Sequence, residues 1–241
     1  MKTIVKTFFC SSLCFVLASC SSTATGTVES PDSSLSVSSV PVFSDNRPKG
    51  KTQGVISMAD IAYDPSDPEV MAPMATDIAL VYINSIDGCD NQDETTGEYV
   101  YPYTYGKLTV LQVFKGPLTD GSQISFSRMG GTVTVDAYAA GMYENEREKF
   151  LAHINPDLEY ITQRFEDDID IEAGKTYLVY MFNPEEGNVP RENEYALFGW
   201  QGGIREAADS PSVLSEESTS EIRVLNNYTG EWETLSNILP Q

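Results

Sequence analysis

The amino-acid sequence predicts a mainly β fold, an antiparallel barrel or sandwich, with one small helical insertion at about 142–166. Seven or more short segments alternate apolar and polar residues with period two, and turn signals separate them. One window in the middle changes to helical spacing. Once a leader and a tether are set aside, about 195 residues remain, enough for one domain with a real core.

The segments follow in order along the chain. Asp77 to Ile86, DIALVYINSI, is apolar almost throughout, as a strand buried on both faces would be. Tyr105 to Phe114 sets Leu108, Val110 and Phe114 on one face and Thr109, Leu111 and Val113 on the other. Ser122 to Arg128 turns Ile124 and Phe126 inward and Gln123, Ser125 and Ser127 outward, and Thr132 to Tyr138 repeats this with Val133, Val135 and Ala137. Thr176 to Phe182 and Glu194 to Trp200 supply two more strands, and the C-terminal stretch reads as a hairpin turning at Asn226 to Gly230. From Met142 to Phe165 the period becomes helical: Phe150, Leu151 and Ile154 form one stripe, and Leu158, Ile161 and Phe165 another. Asn155 suits an N-cap, Pro156 the first helical position and Asp157 the first turn, so two short helices are expected there. A further helical turn is read at Val55 to Ala62.

The N-terminus carries Lys2 and Lys6, then an apolar run from Phe8 to Ala18 that is too short to span ~30 Å of hydrocarbon. This pattern predicts a cleaved export signal over residues 1–19. Ser21 to Ser44 is nearly pure Ser, Thr, Val and Pro, which cannot bury enough apolar surface to offset its chain entropy. It reads as a flexible tether spanning 20–46, with a root-mean-square reach of roughly 28 Å, ahead of a single mainly-β domain at 47–241. The apolar stretch from Met71 to Ile83 is interrupted by Asp77, so no second membrane segment is expected.

Charge and cysteine positions exclude several functions. The chain has 36 acids against 15 bases, and such a surface repels phosphate backbones, so no nucleic acid is expected as a partner. Of the four cysteines, Cys10 and Cys14 lie in the leader and Cys20 ends it. Cys89 is thus alone in the folded part, read as a loop thiol without a disulfide partner. A single histidine, His153, excludes zinc sites built on paired histidines. A Cys89–His153 dyad is disfavoured because the acidic loop around Cys89 raises a thiol pKa.

The acid-rich stretches Asp87 to Glu98 and Glu166 to Gly174 lack EF-hand spacing and read as solvated loops, the second with the alternation of an exposed edge strand. The paired glycines at Met129 to Thr132 and Gly199 to Arg205 open no helix and carry no phosphate-binding lysine. They read as turns or bulges. No metal or cofactor is implied. Tyr101, Tyr103, Tyr105, Tyr195, Phe198 and Trp200 are the candidate ligand groove, because flat aromatic faces stack on sugars and peptides.

Two resemblances add to this reading. Leu17-Ala18-Ser19-Cys20 resembles the lipobox of bacterial lipoproteins, which implies that Cys20 is acylated and becomes the first residue after cleavage. Two or three acyl chains at ~0.8 kcal/mol per buried CH₂ would make that anchor effectively permanent. TDIALVYI, VLQVFKGP, GSQISFSRMGGTVTVD and EAGKTYLVYMF, in that order, resemble Gram-positive surface lipoproteins of uncharacterised function. More distantly, over Met74 to Gly203, they look like the OB-type netrin-like module of tissue inhibitors of metalloproteinases. That likeness implies a barrel with a corner at Lys115-Gly116-Pro117. It does not carry inhibition over, because an acylated, tethered Cys20 cannot act as the zinc-chelating terminus of those inhibitors.

The sequence thus predicts a lipid-anchored lipoprotein on the extracytoplasmic face of the cell membrane. Its expected role is a non-catalytic module binding an envelope protein, peptide or glycan. The alternatives are a carboxylate-based envelope hydrolase and an acidic calcium-dependent adhesion or assembly factor.

Overall fold

Two long strands organise the domain: β3 (Asp77–Gln92) and β4 (Tyr99–Lys115) form an antiparallel hairpin. The computed structural model describes residues 43–58, 62–166, 168–187, 189–208 and 221–239. All of these belong to one compact unit, Val40–Gln241. The expected signal peptide, Cys20 and most of the tether lie outside the described residues.

Before the hairpin come β1 (Ser44–Asp45), β2 (Thr52–Ser57) and α1 (Pro68–Met74). After it come β5 (Gln123–Met129), β6 (Gly131–Thr134), α2 (Val135–Ala140), α3 (Glu144–His153) and β7 (Tyr160–Phe165). The chain continues through β8 (Thr176–Phe182), β9 (Tyr195–Leu197), α4 (Trp200–Gly203) and β10 (Ile204–Glu206) to a hairpin of β11 (Arg223–Leu225) and β12 (Trp232–Thr234). The main sheet has seven strands in the order β1-β3-β4-β5-β9-β8-β10, and β3 also pairs with β8. A second sheet runs β2-β7-β6. The fold is therefore mainly β, but the sheets are mixed rather than antiparallel throughout: β1 with β3, β5 with β9 and β2 with β7 are parallel pairs.

Alternation along β3 and β8 divides two cores. Ile78, Leu80, Leu178 and Tyr180 pack with Met71 of α1 and with Val224, Leu235 and Ile238 of the C-terminal part. Ala79, Val81, Ile83, Tyr177, Val179 and Met181 pack instead with Leu108, Val110, Phe126 and Leu197. Strand β4 departs from the expected faces. Register shifts against β3 leave Leu111 and Phe114 as extra residues, so both turn to the first core while Val113 joins Leu108 and Val110 against the second.

Helix α1 was not expected. Its signals are local: Asp67 accepts from the Glu69 amide as N-cap, Pro68 opens the helix, and Lys115 Nζ from the end of β4 donates to the Ala72 and Ala75 carbonyls.

Four expected elements need correction. Of the helical turn expected at Val55 to Ala62, Val55 to Ser57 belong instead to β2, held by its parallel pairing with β7, and residues 59–61 lie outside the described residues. The second inserted helix is instead β7: Asn155 accepts from the Asp157 amide in a tight turn, and the Tyr-Ile-Thr run after it follows its strand propensity. The strand expected at Thr132 to Tyr138 stops at Thr134, whose hydroxyl caps α2 through the Ala137 amide. The paired glycines of Gly199 to Arg205, expected to open no helix, lie in α4 with Gly199 as its N-cap, whereas the segment around Ile169 and Ile171 is a loop as expected but turns both side chains to the second core.

Cys89 is likewise not in a loop. It lies within β3, partly buried, with Sγ 3.4 Å from Thr104 Oγ1. The folded chain also begins inside the expected tether, since Ser44 and Asp45 pair with Ser85 and Ile86, and Asp45 binds Arg47 at 2.6 Å.

Candidate functional site

The end of β5 and the chain through β9 into α4, paired side by side in the sheet, line an apolar cleft. It consists of two adjoining hollows of about 560 and 270 Å³, which share Arg128, Met129, Phe182, Leu197 and Phe198 as a common wall. The larger is closed by Tyr101 and Tyr103 of β4 and by Val189 and Pro190 of the β8–β9 loop. The smaller is closed by Trp200, Tyr63 and Met74. A mostly apolar concavity with few polar groups is the usual form of a ligand site. Other hollows, of about 860 and 510 Å³, flank α1 and the C-terminal residues but bring together no pair of aromatic rings.

Aromatic contacts run along the cleft. Tyr101 stacks on Phe165 with centroids 4.9 Å apart, and Phe165 meets Trp200 edge-on at 5.1 Å. Phe182 and Phe198 stack at 4.2 Å. Met129 stands on the rim, 51% exposed.

Trp200 is held by its backbone. Its φ is +45°, a left-handed conformation that costs a bulky residue roughly 1–2 kcal/mol. The turn that enforces it has no room for side chains: a Cβ on Gly199 would strike the Met71 methyl, one on Gly202 the Pro65 carbonyl, and one on Gly203 the Phe198 carbonyl. Strain of this kind, over-determined by its surroundings, is characteristic of binding sites.

The polar groups of the cleft are largely engaged. Arg128 and Asp168 form a buried ion pair in the wall of the smaller hollow, with Arg128 also donating to the Ile169 carbonyl. Burial pushes the Asp168 carboxyl up, against the pull of Arg128. Asp93 accepts from the Thr95 and Thr96 amides, which hold its carboxyl below the ordinary range. Among the described residues no group of three or more His, Cys, Asp or Glu is placed to hold a metal ion. His153 lies exposed at the end of α3, its Nδ1 on the Lys149 carbonyl.

Of the six aromatic residues singled out in the sequence, Tyr101, Tyr103, Phe198 and Trp200 line the cleft. Tyr105 and Tyr195 do not. Tyr105 lies under the Arg191 guanidinium at 4.2 Å, and Tyr195 packs on the second core. Sequence reasoning missed Met129, Phe165 and Phe182. Phe165 was hidden by its assignment to a helix, whereas a methionine beside paired glycines was a legible sign of an exposed turn. Cys20 lies outside the described residues. Among the described residues no helix is long and apolar enough to cross a membrane.

Comparison with family models, with curated proteins and with solved structures finds no match to this chain.

Proposed function

We propose that this chain is a lipid-anchored module on the extracytoplasmic face of a bacterial cell membrane that binds an envelope protein, peptide or glycan in the Tyr101–Trp200 cleft without catalysing a reaction. The observation that carries the reading is the cleft itself, an aromatic-lined hollow with a Trp strained into its wall. The state of the two carboxyls at the cleft supports binding over hydrolysis. Asp93 is held as an anion by turn amides, and Asp168 is tied to Arg128. The anchor rests on the Leu-Ala-Ser-Cys20 sequence. An OB/netrin-like barrel is the architecture we infer, supported by a cycle of pairings in which β3 meets β4, β4 meets β5, β5 meets β9, β9 meets β8, and β8 returns to β3.

Two experiments test the proposal. The detergent-solubilised full chain, immobilised and offered peptidoglycan fragments, envelope peptides and envelope proteins, should retain a species that Trp200→Ala and Tyr101→Ala both release. Retention unchanged in both variants removes the cleft from the account. Cys20→Ala should leave the protein unprocessed or released into the medium, and undiminished membrane association of that variant overturns the anchor.

A further inference from the structure

The segment at residues 189–194 that leads into β9 supplies Val189 and Pro190 to the wall of the larger hollow. It is fastened to the β3–β4 connection. The Glu94 amide donates to the Pro190 carbonyl at 2.7 Å, Thr95 Oγ1 donates to Glu192 at 3.2 Å, and Arg191 lies 3.8 Å from Glu94. The loop ends on Glu194, which is only 5% exposed. Its Oε1 accepts from Arg191 Nε at 3.0 Å, while Oε2 is buried with no hydrogen-bond partner among the described residues.

One donor for two buried oxygens suits a carboxylic acid better than a carboxylate. The anion would leave an uncompensated acceptor in a medium of low dielectric, whereas the acid carries its own proton there. Every packed element contributes to this environment. Glu94 of the β3–β4 connection repels charge on Glu194, and Tyr103 of β4 stands beside it, with Asp90 of β3 beyond. Ser127 of β5 and Arg191 of the loop favour the charged form. Burial outweighs both and pushes the Glu194 carboxyl up to about 7.

We propose that protonation of Glu194 seats the 189–194 segment against the cleft, so that the wall of the larger hollow is operated by protons. The inference rests on the cleft being the binding site. The seated loop holds its proton more tightly than a lifted loop with Glu194 in water, so acid below neutrality keeps the wall in place. Rising pH loosens it. From pH 6 to pH 8 the lifted population increases about tenfold.

Hydrogen exchange at the Glu94 amide, which is bonded to Pro190, reads this directly in the full chain once intrinsic exchange is corrected. Protection should fall about tenfold from pH 6 to pH 8 in the wild type and stay level in Glu194→Gln. A level wild-type profile, or a tenfold change that persists in Glu194→Gln, overturns the proposal. Should that variant not fold, a side-chain ¹³C titration of wild-type Glu194 decides: a midpoint near neutrality upholds the switch, and one at the ordinary 4.5 overturns it. The uncharged dye N-phenyl-1-naphthylamine, measured separately, reports on the cleft alone. If its binding survives Trp200→Ala and Tyr101→Ala, the cleft reading falls, while the exchange profile still decides whether Glu194 seats the loop.

Discussion

Asp77 Oδ1 fills the space that a Cβ on Gly116 would need, with the Thr76 carbonyl behind it. Gly116 has φ +99° and follows the last residue of β4, where the chain turns into Pro117. Both the backbone conformation and the crowding demand glycine. Gly116→Ala should therefore cost about 2–4 kcal/mol. Urea denaturation reads that loss, and a variant within about 0.5 kcal/mol of wild type would show that the corner relaxes freely.

Arg128 and Asp168 are both nearly inaccessible, with side chains 6% and 4% exposed. Removing one partner strands the other charge in the interior. Asp168→Ala should thus lose about 3–5 kcal/mol, while Arg128→Met/Asp168→Leu should lose distinctly less than the two single changes together. A double-mutant cycle measures this, and additive losses would mean that the two groups are not coupled.

Trp200 inverts the usual order of alanine and glycine. At φ +45° an Ala keeps the backbone strain that a Gly relieves. Trp200→Gly should accordingly be more stable than Trp200→Ala by about 1 kcal/mol, although both lose the ring. Thermal unfolding of the two variants side by side decides it, with a more stable Ala variant as the contrary result.

Glu194 makes stability depend on pH in a direction set by its shift. Its folded-state carboxyl is raised from 4.5 to about 7, so burial of the neutral acid costs nothing below the unfolded value. As pH climbs from 4.5 toward 7 the unfolded chain releases a proton that the buried group keeps, and up to about 3 kcal/mol of stability is lost, fully so above 7. The difference in denaturant midpoint between wild type and Glu194→Gln should therefore change across that window. A difference that stays constant from acid to neutral pH would contradict the shift.

The sequence made the strands legible where one residue type dominated a face. The apolar run of β3, the position of β5 and the Asn226 turn of the last hairpin are found where their patterns placed them, although Ser127 of β5, expected outward, is buried. What it hid were decisions made by partners distant in the chain. Val55 and Ile56 have no local preference strong enough to resist pairing with β7, and Leu158, Ile161 and Phe165 fit a helical stripe and a strand almost equally. The bulges that turn Leu111 and Phe114 depend on β3, so no local pattern in β4 announces them. The cleft followed the same division. Aromatic content pointed to Tyr101 and Trp200, but Phe165 joins them only because β7 is a strand.

The two-sided burial of β3 also makes the molecule sensitive to counting. Ile78 and Leu80 serve one core, and Ala79, Val81 and Ile83 the other. Inserting or deleting a single residue among them would exchange the contents of both interiors at once, sending every side chain beyond it to the wrong compartment. A two-residue change keeps odd and even positions where they were. The strand acts as a parity check on the whole domain: both interiors are filled correctly together or spoiled together, and neither can be redesigned without reference to the other.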